Sequence, residues 1–381
     1  MGKLHLAAIA ALLASALSCG GGQSEKFAAG IAHVAGDYGF TQNNFLVEGA
    51  TEISQLGSGA IFIYMTPAFR TQYPDRSKRL WPAEDPTSLA QLAQSSPYDQ
   101  VFHLPFKTIV LTAYTFANWD AVEGMAESPA RQSAEENEFY QLAKYLYAKF
   151  SGSGKTFILK NWEGDWAALG GQYDTAANIS PGAAADMIAW LKARQAGVAR
   201  ARKQANDASV RVVNGAEVNR VLDYAQRGLT RVINAVVPEV NADMVTYSSY
   251  DSTTVGEDAA SMQQSFNLAL QTIEKLAPDP LGMGSRRILV SEYGLYENQL
   301  AGGTTWRAQA VLATASRAGL YGAFLWNLYD NECVQPDGQA AEVDAPLGSG
   351  ARPGDQNCRG LWVLRPDGTT SAALAVLKQY W

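Results

Sequence analysis

The chain has 381 residues, of which 47% are hydrophobic and 18% charged, values that exclude disordered, collagenous and polytopic membrane proteins. Its 37 acidic and 30 basic residues give a net charge of −7, which argues against a basic surface for nucleic acid or polyphosphate. The three histidines (His5, His33 and His103) are too few for a histidine-rich metal centre, and no G-x-S-x-G motif supports a serine hydrolase.

The N-terminus has the pattern of an export signal. Lys3 precedes an apolar run, Leu6–Leu17, whose length of about 12 residues suits a signal peptide and is too short to span a bilayer. The run ends in Ala16-Leu17-Ser18-Cys19 before a Gly/Ser stretch, which resembles a bacterial lipobox. That resemblance implies a signal peptide over 1–18, a lipidated Cys19 opening a flexible tether over 19–29, and a single domain over 30–381.

The expected location is therefore the cell envelope, where the protein would be lipid-anchored to a bacterial membrane on the periplasmic or cell-surface side. Contact with the membrane would be through the lipid anchor alone. The alternative is an ordinary secretory signal in which Cys19 has no role.

Eight short apolar runs rich in β-branched residues alternate with amphipathic stretches, which predicts repeated βα units around a parallel sheet. The predicted strands are Gly30–Gly36, Ala60–Met65, Thr108–Tyr114, Thr156–Trp162, Val210–Ala216, Met244–Tyr250, Ile288–Tyr293 and Gly322–Leu328. The predicted helices between and after them are Glu135–Phe150, Pro181–Asn206, Val218–Val237, Ala259–Lys275, Thr305–Ala318 and Ser371–Trp381.

Eight such units predict an α/β fold of the (β/α)8 TIM-barrel type, in a single domain with long βα loops. The stretch from Pro67 to Pro105 is interpreted as one large loop above the barrel. The alternative is an open doubly wound sheet, which is disfavoured because no G-x-G-x-x-G follows a predicted strand.

Two cysteines remain after Cys19, and they bracket a Gly/Pro/Asp-rich segment near the C-terminus. In an oxidising compartment this pair, Cys333 and Cys358, predicts a disulfide. Two separate buried thiols are the alternative. A metal site is disfavoured because no third soft ligand is near in the sequence.

Two glutamates follow apolar strands at the end of the barrel where such enzymes hold reactive groups. Glu163 follows the fourth strand between Trp162 and Trp166, and Glu292 lies at the end of the seventh. A buried carboxylate costs desolvation free energy unless it is paired or functional. Two facing carboxylates suit cleavage of a glycosidic bond, in which one protonates the leaving oxygen while the other attacks the anomeric carbon. Salt-bridged structural glutamates are the alternative.

These glutamates resemble the catalytic pair of the clan A glycoside hydrolases, which are retaining enzymes on this barrel. The resemblance implies that Glu163 is the general acid/base, with a raised pKa, and that Glu292, in Val290–Gly294 (VSEYG), is the nucleophile. The clan's acid/base directly follows an Asn that binds the sugar 2-hydroxyl. Here Trp162 lies between Asn161 and Glu163.

The resemblance extends to two other strands. Trp326, in the eighth strand, matches the clan's tryptophan platform beneath the sugar. Ser248-Ser249-Tyr250, in the sixth strand, is similar to its His-x-Tyr motif, with Ser248 replacing His and Tyr250 expected on the nucleophile.

Further strand-end residues are candidates for sugar binding. Glu217 would line the pocket, act as a rival acid or be structural. Aromatic residues and carboxylates near other strand ends could stack on sugar rings or bind their hydroxyls. These candidates are Tyr114, Asn118, Trp119, Trp81, Trp166, Trp306, Asp330 and Glu332.

We therefore interpret the chain as a retaining glycoside hydrolase that cleaves an oligo- or polysaccharide by two-glutamate double displacement. It would need no cofactor or metal, and carbohydrate would be its partner, without nucleic acid or an obligate protein partner. The alternative is a catalytically inactive, surface glycan-binding lipoprotein on the same barrel.

The lipobox interpretation predicts the behaviour of Cys19→Ser. Because stable anchoring depends on acyl chains and not on a helix, this variant should be released from membranes or should fail to mature. Fractionation of cells into membrane and soluble material measures the effect. Membrane association equal to that of the unsubstituted protein would contradict the prediction.

Overall fold

The computed structural model describes residues 26–74, 81, 84–119, 122–171, 176–300, 303–335, 337–341 and 352–381. Within these ranges, eight parallel strands close into a barrel in chain order. They are β1 (Ala28–His33), β2 (Ala60–Met65), β3 (Thr108–Ala113), β4 (Thr156–Lys160), β5 (Arg211–Val218), β6 (Met244–Ser248), β7 (Ile288–Gly294) and β8 (Gly322–Trp326).

The predicted TIM barrel is confirmed, since β1 pairs with both β2 and β8, as in Ala28 opposite Gly322. This closure excludes the open doubly wound sheet. Every predicted run overlaps a strand, and β1 begins at Ala28, two residues before the predicted Gly30.

Helices of the βα units surround the barrel. The helices of the first four units are α1 (Phe45–Leu56), α2 (Phe69–Gln72), α3 (Leu89–Ala93), α4 (Ser96–His103), α5 (Pro129–Phe150), α6 (Gly164–Ala168) and α7 (Pro181–Ala205). Those of the last four are α8 (Val221–Arg227), α9 (Val232–Ala235), α10 (Val237–Val240), α11 (Tyr250–Thr253), α12 (Ala259–Leu276), α13 (Thr304–Arg317) and α14 (Ala373–Leu377). Short 3₁₀ turns occur at Gly284–Arg287, Asp355–Asn357 and Lys378–Tyr380.

Two predictions about the helical segments are wrong. The single helix predicted over Val218–Val237 is instead the end of β5 followed by three short helices, because Val218 pairs with Tyr247 and Gly228 ends α8 in the left-handed conformation. The large loop predicted from Pro67 to Pro105 contains α2, α3 and α4 among its described residues.

Strand residues alternate between the two sides of the barrel wall. In β4, Phe157 and Leu159 pack against the surrounding helices, whereas Ile158 belongs to the cluster inside the barrel. Lys160 takes the next inward position and is fully buried. The same alternation in β5 brings Val213 and Glu217 inward.

The pairing of β7 is irregular where Glu292 lies. Its register shifts against β8 between Val290 and Tyr293, and the neighbouring pairing with β6 shifts at Ser248. Such irregularities redirect side chains next to active sites. Here the shift lets the consecutive residues Ser291 and Glu292 both reach the inside of the barrel.

The predicted signal peptide, Cys19 and the tether as far as residue 25 lie outside the described residues. Among the helices that the structure does describe, none combines the length and apolar character needed to cross a bilayer.

Cys333 and Cys358 form a disulfide, with their Cα atoms 4.0 Å apart, slightly below the usual 4.4–6.8 Å. The bond connects the segment after β8 to the segment that leads to α14. Asp330 secures the same region, since its carboxylate accepts hydrogen bonds from the backbone amides of Gly360 and Leu361 at 2.6 and 2.8 Å.

Removing the disulfide should destabilise the fold. Because the bond closes a loop with a sequence separation of 25 residues, Cys333→Ser with Cys358→Ser should lower the free energy of unfolding by about 3 kcal/mol. Denaturant unfolding measures the change, with reductant added to the double variant as the control. An unchanged midpoint in the double variant would contradict the prediction.

Candidate active site

A cavity of about 450 Å³ opens at the carboxyl ends of the strands. Both candidate catalytic glutamates line it, together with aromatic residues contributed by β2, β8 and the loops after β4, β6 and β7. The lining residues that bear on the argument are Tyr64, Trp162, Glu163, Trp166, Arg220, Tyr250, Asp251, Glu292, Tyr296, Trp326, Asn331, Glu332 and Leu361.

Glu163, which precedes α6 in the loop after β4, has the left-handed conformation, with φ 25° and ψ 73°, which is uncommon for a residue other than glycine. Its Oε1 accepts a hydrogen bond of 2.7 Å from the Ser248 hydroxyl at the end of β6. Burial raises the pKa of Glu163 to about 7, although this hydrogen bond acts in the opposite direction. The side chain can therefore hold a proton near neutral pH.

Glu292 lies deeper than Glu163, with 2% of its surface exposed. Burial raises its pKa well above the ordinary value, and the Lys160 ammonium, whose Nζ lies 3.4 Å from Oε1, opposes that rise. We expected a raised pKa for Glu163 as the acid, but burial raises the pKa of both carboxyls. The direction of the shift therefore does not distinguish the acid from the nucleophile.

Glu217 does not line the cavity. It is fully buried, and its carboxylate lies 2.6 Å from the ammonium of Lys160, which is equally buried. This position favours the structural alternative for Glu217.

Asn161 has no contact with the cavity either. Its Oδ1 accepts from the backbone amide of Glu217 at 2.9 Å, and its Nδ2 donates to the Trp162 carbonyl. Trp162 lies between Asn161 and Glu163, and the Asn161 side chain connects the end of β4 to β5 instead of lining the cavity.

The loop after β4 is anchored by residues that sequence reasoning missed. Asp165 is fully buried, and its carboxylate accepts from the backbone amides of Asn219, Arg220 and Val232 at 2.8–3.1 Å. Gly164 lies against β5, where an added Cβ would come within 2.5 Å of the Glu217 carbonyl. In this run Trp162, Glu163 and Trp166 line the cavity, while Gly164 and Asp165 between them anchor the loop.

The candidate aromatic ligands divide into two groups. Trp162, Trp166, Tyr250 and Trp326 line the cavity. Tyr114 instead supports the loop from below, since its hydroxyl accepts from the Trp162 amide at 3.2 Å, and Trp119 packs edge-on against Tyr114.

Other candidates are also structural. Trp81 packs between Phe69 and Tyr98 in the core, away from the cavity. The Asn118 side chain bonds to Glu135, and Trp306 packs beneath the guanidinium of Arg307. From sequence alone, these residues could not be separated from those that reach the cavity.

The segment after β8 forms one wall of the cavity. Asn331 and Glu332 line it, with the Asn331 side chain accepting from Trp326 Nε1 at 3.0 Å and Glu332 paired with Arg359. Leu361 completes this wall beyond the disulfide. Asp330, a candidate ligand, holds the backbone of this wall instead.

A second cavity, of about 490 Å³, lies beside the first and shares Arg220, Tyr250 and Asp251 with it. Its other lining residues are mostly polar: Leu222, Asp223, Gln226, Thr254, Val255 and Ser265. The two cavities are therefore neighbours, with Arg220, Tyr250 and Asp251 lining both.

No protein-family model matches the chain, and no curated protein matches it by sequence. Solved structures match over nearly its whole length. A GH5-4 broad-specificity endoglucanase from Clostridium longisporum has 9% identity and a TM-score of 0.54, with 94% of this chain and 98% of that chain covered.

Two GH5_18 structures match similarly. The protein from Streptomyces cattleya, in complex with GlcNAc, has 13% identity, a TM-score of 0.55 and coverage of 93% of this chain and 80% of that chain. The one from Bifidobacterium longum, in complex with Manβ1-4GlcNAc, has 14% identity, a TM-score of 0.52 and coverage of 93% and 78%. The chain therefore has the fold of the family 5 glycoside hydrolases of clan A.

Proposed function

We propose that this protein is a retaining glycoside hydrolase in which Glu163 is the general acid/base and Glu292 is the nucleophile. The observation that carries the proposal is that these two carboxyls, from β4 and β7, line one cavity walled by Trp162, Trp166 and Trp326. The fold shared with family 5 glycoside hydrolases supports the same activity class.

The roles follow from the surroundings of each carboxyl. Glu163 holds a proton near neutral pH and protonates the leaving glycosidic oxygen. Glu292 lies beside the Lys160 ammonium, which favours its anionic form, and attacks the anomeric carbon to give a glycosyl-enzyme. Glu163, now ionised, then takes a proton from the water that releases the sugar.

The substrate we propose is an oligo- or polysaccharide. Tryptophan and tyrosine rings offer flat apolar faces to the sugar, while the polar groups of the cavity suit its hydroxyls. The second cavity, which shares Arg220 and Tyr250 with the first, offers further space for a substrate longer than one sugar unit.

We also propose that the enzyme is exported and lipid-anchored in the bacterial cell envelope, on the signal pattern before Cys19.

A second candidate function is glycan binding without turnover. It is favoured by the position of Asn161, whose amide is bound inside the barrel instead of facing a sugar. A panel of aryl glycosides and polysaccharides, tested with the unsubstituted protein and Glu292→Gln, separates the two functions. Hydrolysis abolished by the substitution supports the enzyme, and binding without turnover in both proteins supports the binder.

The two glutamates should respond differently to substitution. Glu292→Ala should abolish turnover of every substrate, because no covalent intermediate can form. Glu163→Ala should slow poor leaving groups by about 10²–10⁴-fold and spare good ones, whose departure needs no proton. Azide added to Glu163→Ala should yield a glycosyl azide of retained configuration, identified by NMR.

Glu332→Gln is the matched control, since it removes a carboxylate from the same cavity without removing either reacting group. It should keep the dependence of rate on leaving group seen in the unsubstituted enzyme. A glycosyl azide of inverted configuration would contradict the assigned mechanism.

The pH dependence of kcat/KM should be bell-shaped. Activity should fall as the pH rises through about 7, where Glu163 loses the proton it must donate. It should also fall toward acid pH, and its acidic limb should lie above the ordinary glutamate value of 4.5, because burial favours protonated Glu292. Glu163→Gln, assayed with a good leaving group, should lose the basic limb, and a basic limb that persists there would contradict the assignment.

A further inference from the structure

Two buried charged residues lie beneath the candidate catalytic pair, and the mechanism above uses only Lys160, as the cation beside Glu292. Lys160 and Glu217 are both fully buried, and neither lines the cavity. Burying such a pair costs desolvation free energy, and apolar residues of similar volume often stabilise a protein as well or better. Stability alone is therefore a weak reason for charges at these positions.

Lys160 contacts both carboxylates that lie nearest to it. Its Nζ donates to Glu217 at 2.8 Å and lies 3.4 Å from Glu292 Oε1. The Asn161 carbonyl accepts at 3.4 Å, and the Phe62 ring lies beneath the ammonium with its centroid at 4.4 Å. The ammonium is thus held between β5 and β7 with one side directed at the proposed nucleophile.

Glu217 contacts the proposed acid/base as well as Lys160. Its Oε1, which accepts from Lys160, also accepts from the backbone amide of Glu163 at 2.8 Å. Its Oε2 accepts from Ser291 and, at 3.2 Å, from Thr246. Hydroxyls from β6 and β7 therefore hold this carboxylate while it binds the backbone of Glu163 in the loop after β4.

We propose that Lys160 and Glu217 are a positioning pair that links the two halves of the catalytic centre: Lys160 keeps Glu292 anionic and oriented, and Glu217 fixes the backbone from which Glu163 projects. The proposal rests on the proposed function, because it assigns the pair a role in that reaction. Neither residue lines the cavity, so Lys160 acts through its contact with Glu292 Oε1, and Glu217 acts through its hydrogen bond with the Glu163 amide.

The other titratable groups around Glu292 do not favour its ionisation, so the Lys160 ammonium is important for keeping it anionic. The titratable groups that face it besides Lys160 are carboxyls and phenols: Tyr64 of β2, Glu163 after β4, Glu217 of β5, Tyr250 after β6 and Tyr296 after β7. Arg220, Asp251 and Glu332 line the same cavity. A carboxylate opposite other carboxylates is harder to ionise, whereas a cation within 4 Å makes it easier.

Removing the charge of Lys160 and removing the charge of Glu217 should shift the pH profile of kcat/KM in opposite directions. Lys160→Met removes the cation and should move the acidic limb of kcat/KM upward by about 1 pH unit or more. Glu217→Gln removes the competing anion, keeps an oxygen for the Glu163 amide, and should move the limb downward. At pH values below the acidic limb, moving that limb upward by one pH unit lowers kcat/KM tenfold.

Two further variants separate this role from a structural one. The double variant with Lys160→Met and Glu217→Gln removes both charges, so it should recover the stability lost in Lys160→Met. Its acidic limb should nevertheless stay above that of the unsubstituted enzyme. Lys155→Met is the matched control. It removes a buried ammonium just before the other end of β4, where Nζ donates to the Leu104 and Phe106 carbonyls, and should leave the limb in place.

The ionisation of Glu292 can also be followed without turnover, by ¹³C NMR of labelled glutamate carboxyls, with its signal identified by loss in Glu292→Gln. Shifts of this titration in opposite directions in Lys160→Met and Glu217→Gln support the pair even if no substrate is hydrolysed, in which case the proposed function fails by itself. Turnover whose acidic limb and Glu292 titration are the same in all folded variants would overturn the positioning role while leaving the proposed function intact.

Discussion

The carboxyl end of this barrel is organised around one ammonium group that lies among three carboxyls. Glu163, Glu217 and Glu292 come from three different strands or their ends, and Lys160 is in contact with two of them. In a closed barrel these groups cannot be solvated fully, so each negative charge needs a partner or a proton. Lys160 supplies the partner for the two deeper carboxyls. Glu163, nearer the opening, is the carboxyl that can keep a proton and exchange it with a substrate.

Backbone geometry, and not side-chain length, brings these groups together. Regular alternation would put Ser291 and Glu292 on opposite sides of the wall, but the shifted register of β7 directs both inward. Ser291 then holds Glu217 while Glu292 reaches the cavity. The neighbouring shift at Ser248 lies beside the hydroxyl that binds Glu163. Two local irregularities in strand pairing thus help to bring three carboxyls to defined positions at one end of the barrel.

The sequence predicts the barrel because eight short apolar runs that alternate with amphipathic stretches are a strong repeated signal. It also indicates Glu163 and Glu292 as candidates, because carboxylates directly after apolar runs are conspicuous. Lys160 carried a signal that was available but missed, since it is a charged residue at an inward position of β4. The depth of each tryptophan and the shift in β7 could not be predicted, since both depend on contacts between segments distant in sequence.

The proposed acid/base carboxyl, Glu163, is supported from the neighbouring strand β5. Asn161 binds the β5 backbone through its side chain, and two residues later the chain turns to present Glu163 to the cavity. That turn puts Glu163 in the left-handed region, a conformation that costs on the order of 1 kcal/mol for a residue with a side chain. The hydrogen bond from its amide to Glu217 and the Asp165 contacts with the next loop offset this cost. The orientation of Glu163 is therefore determined by β5, and the same carboxylate that fixes it is paired with the cation beside Glu292.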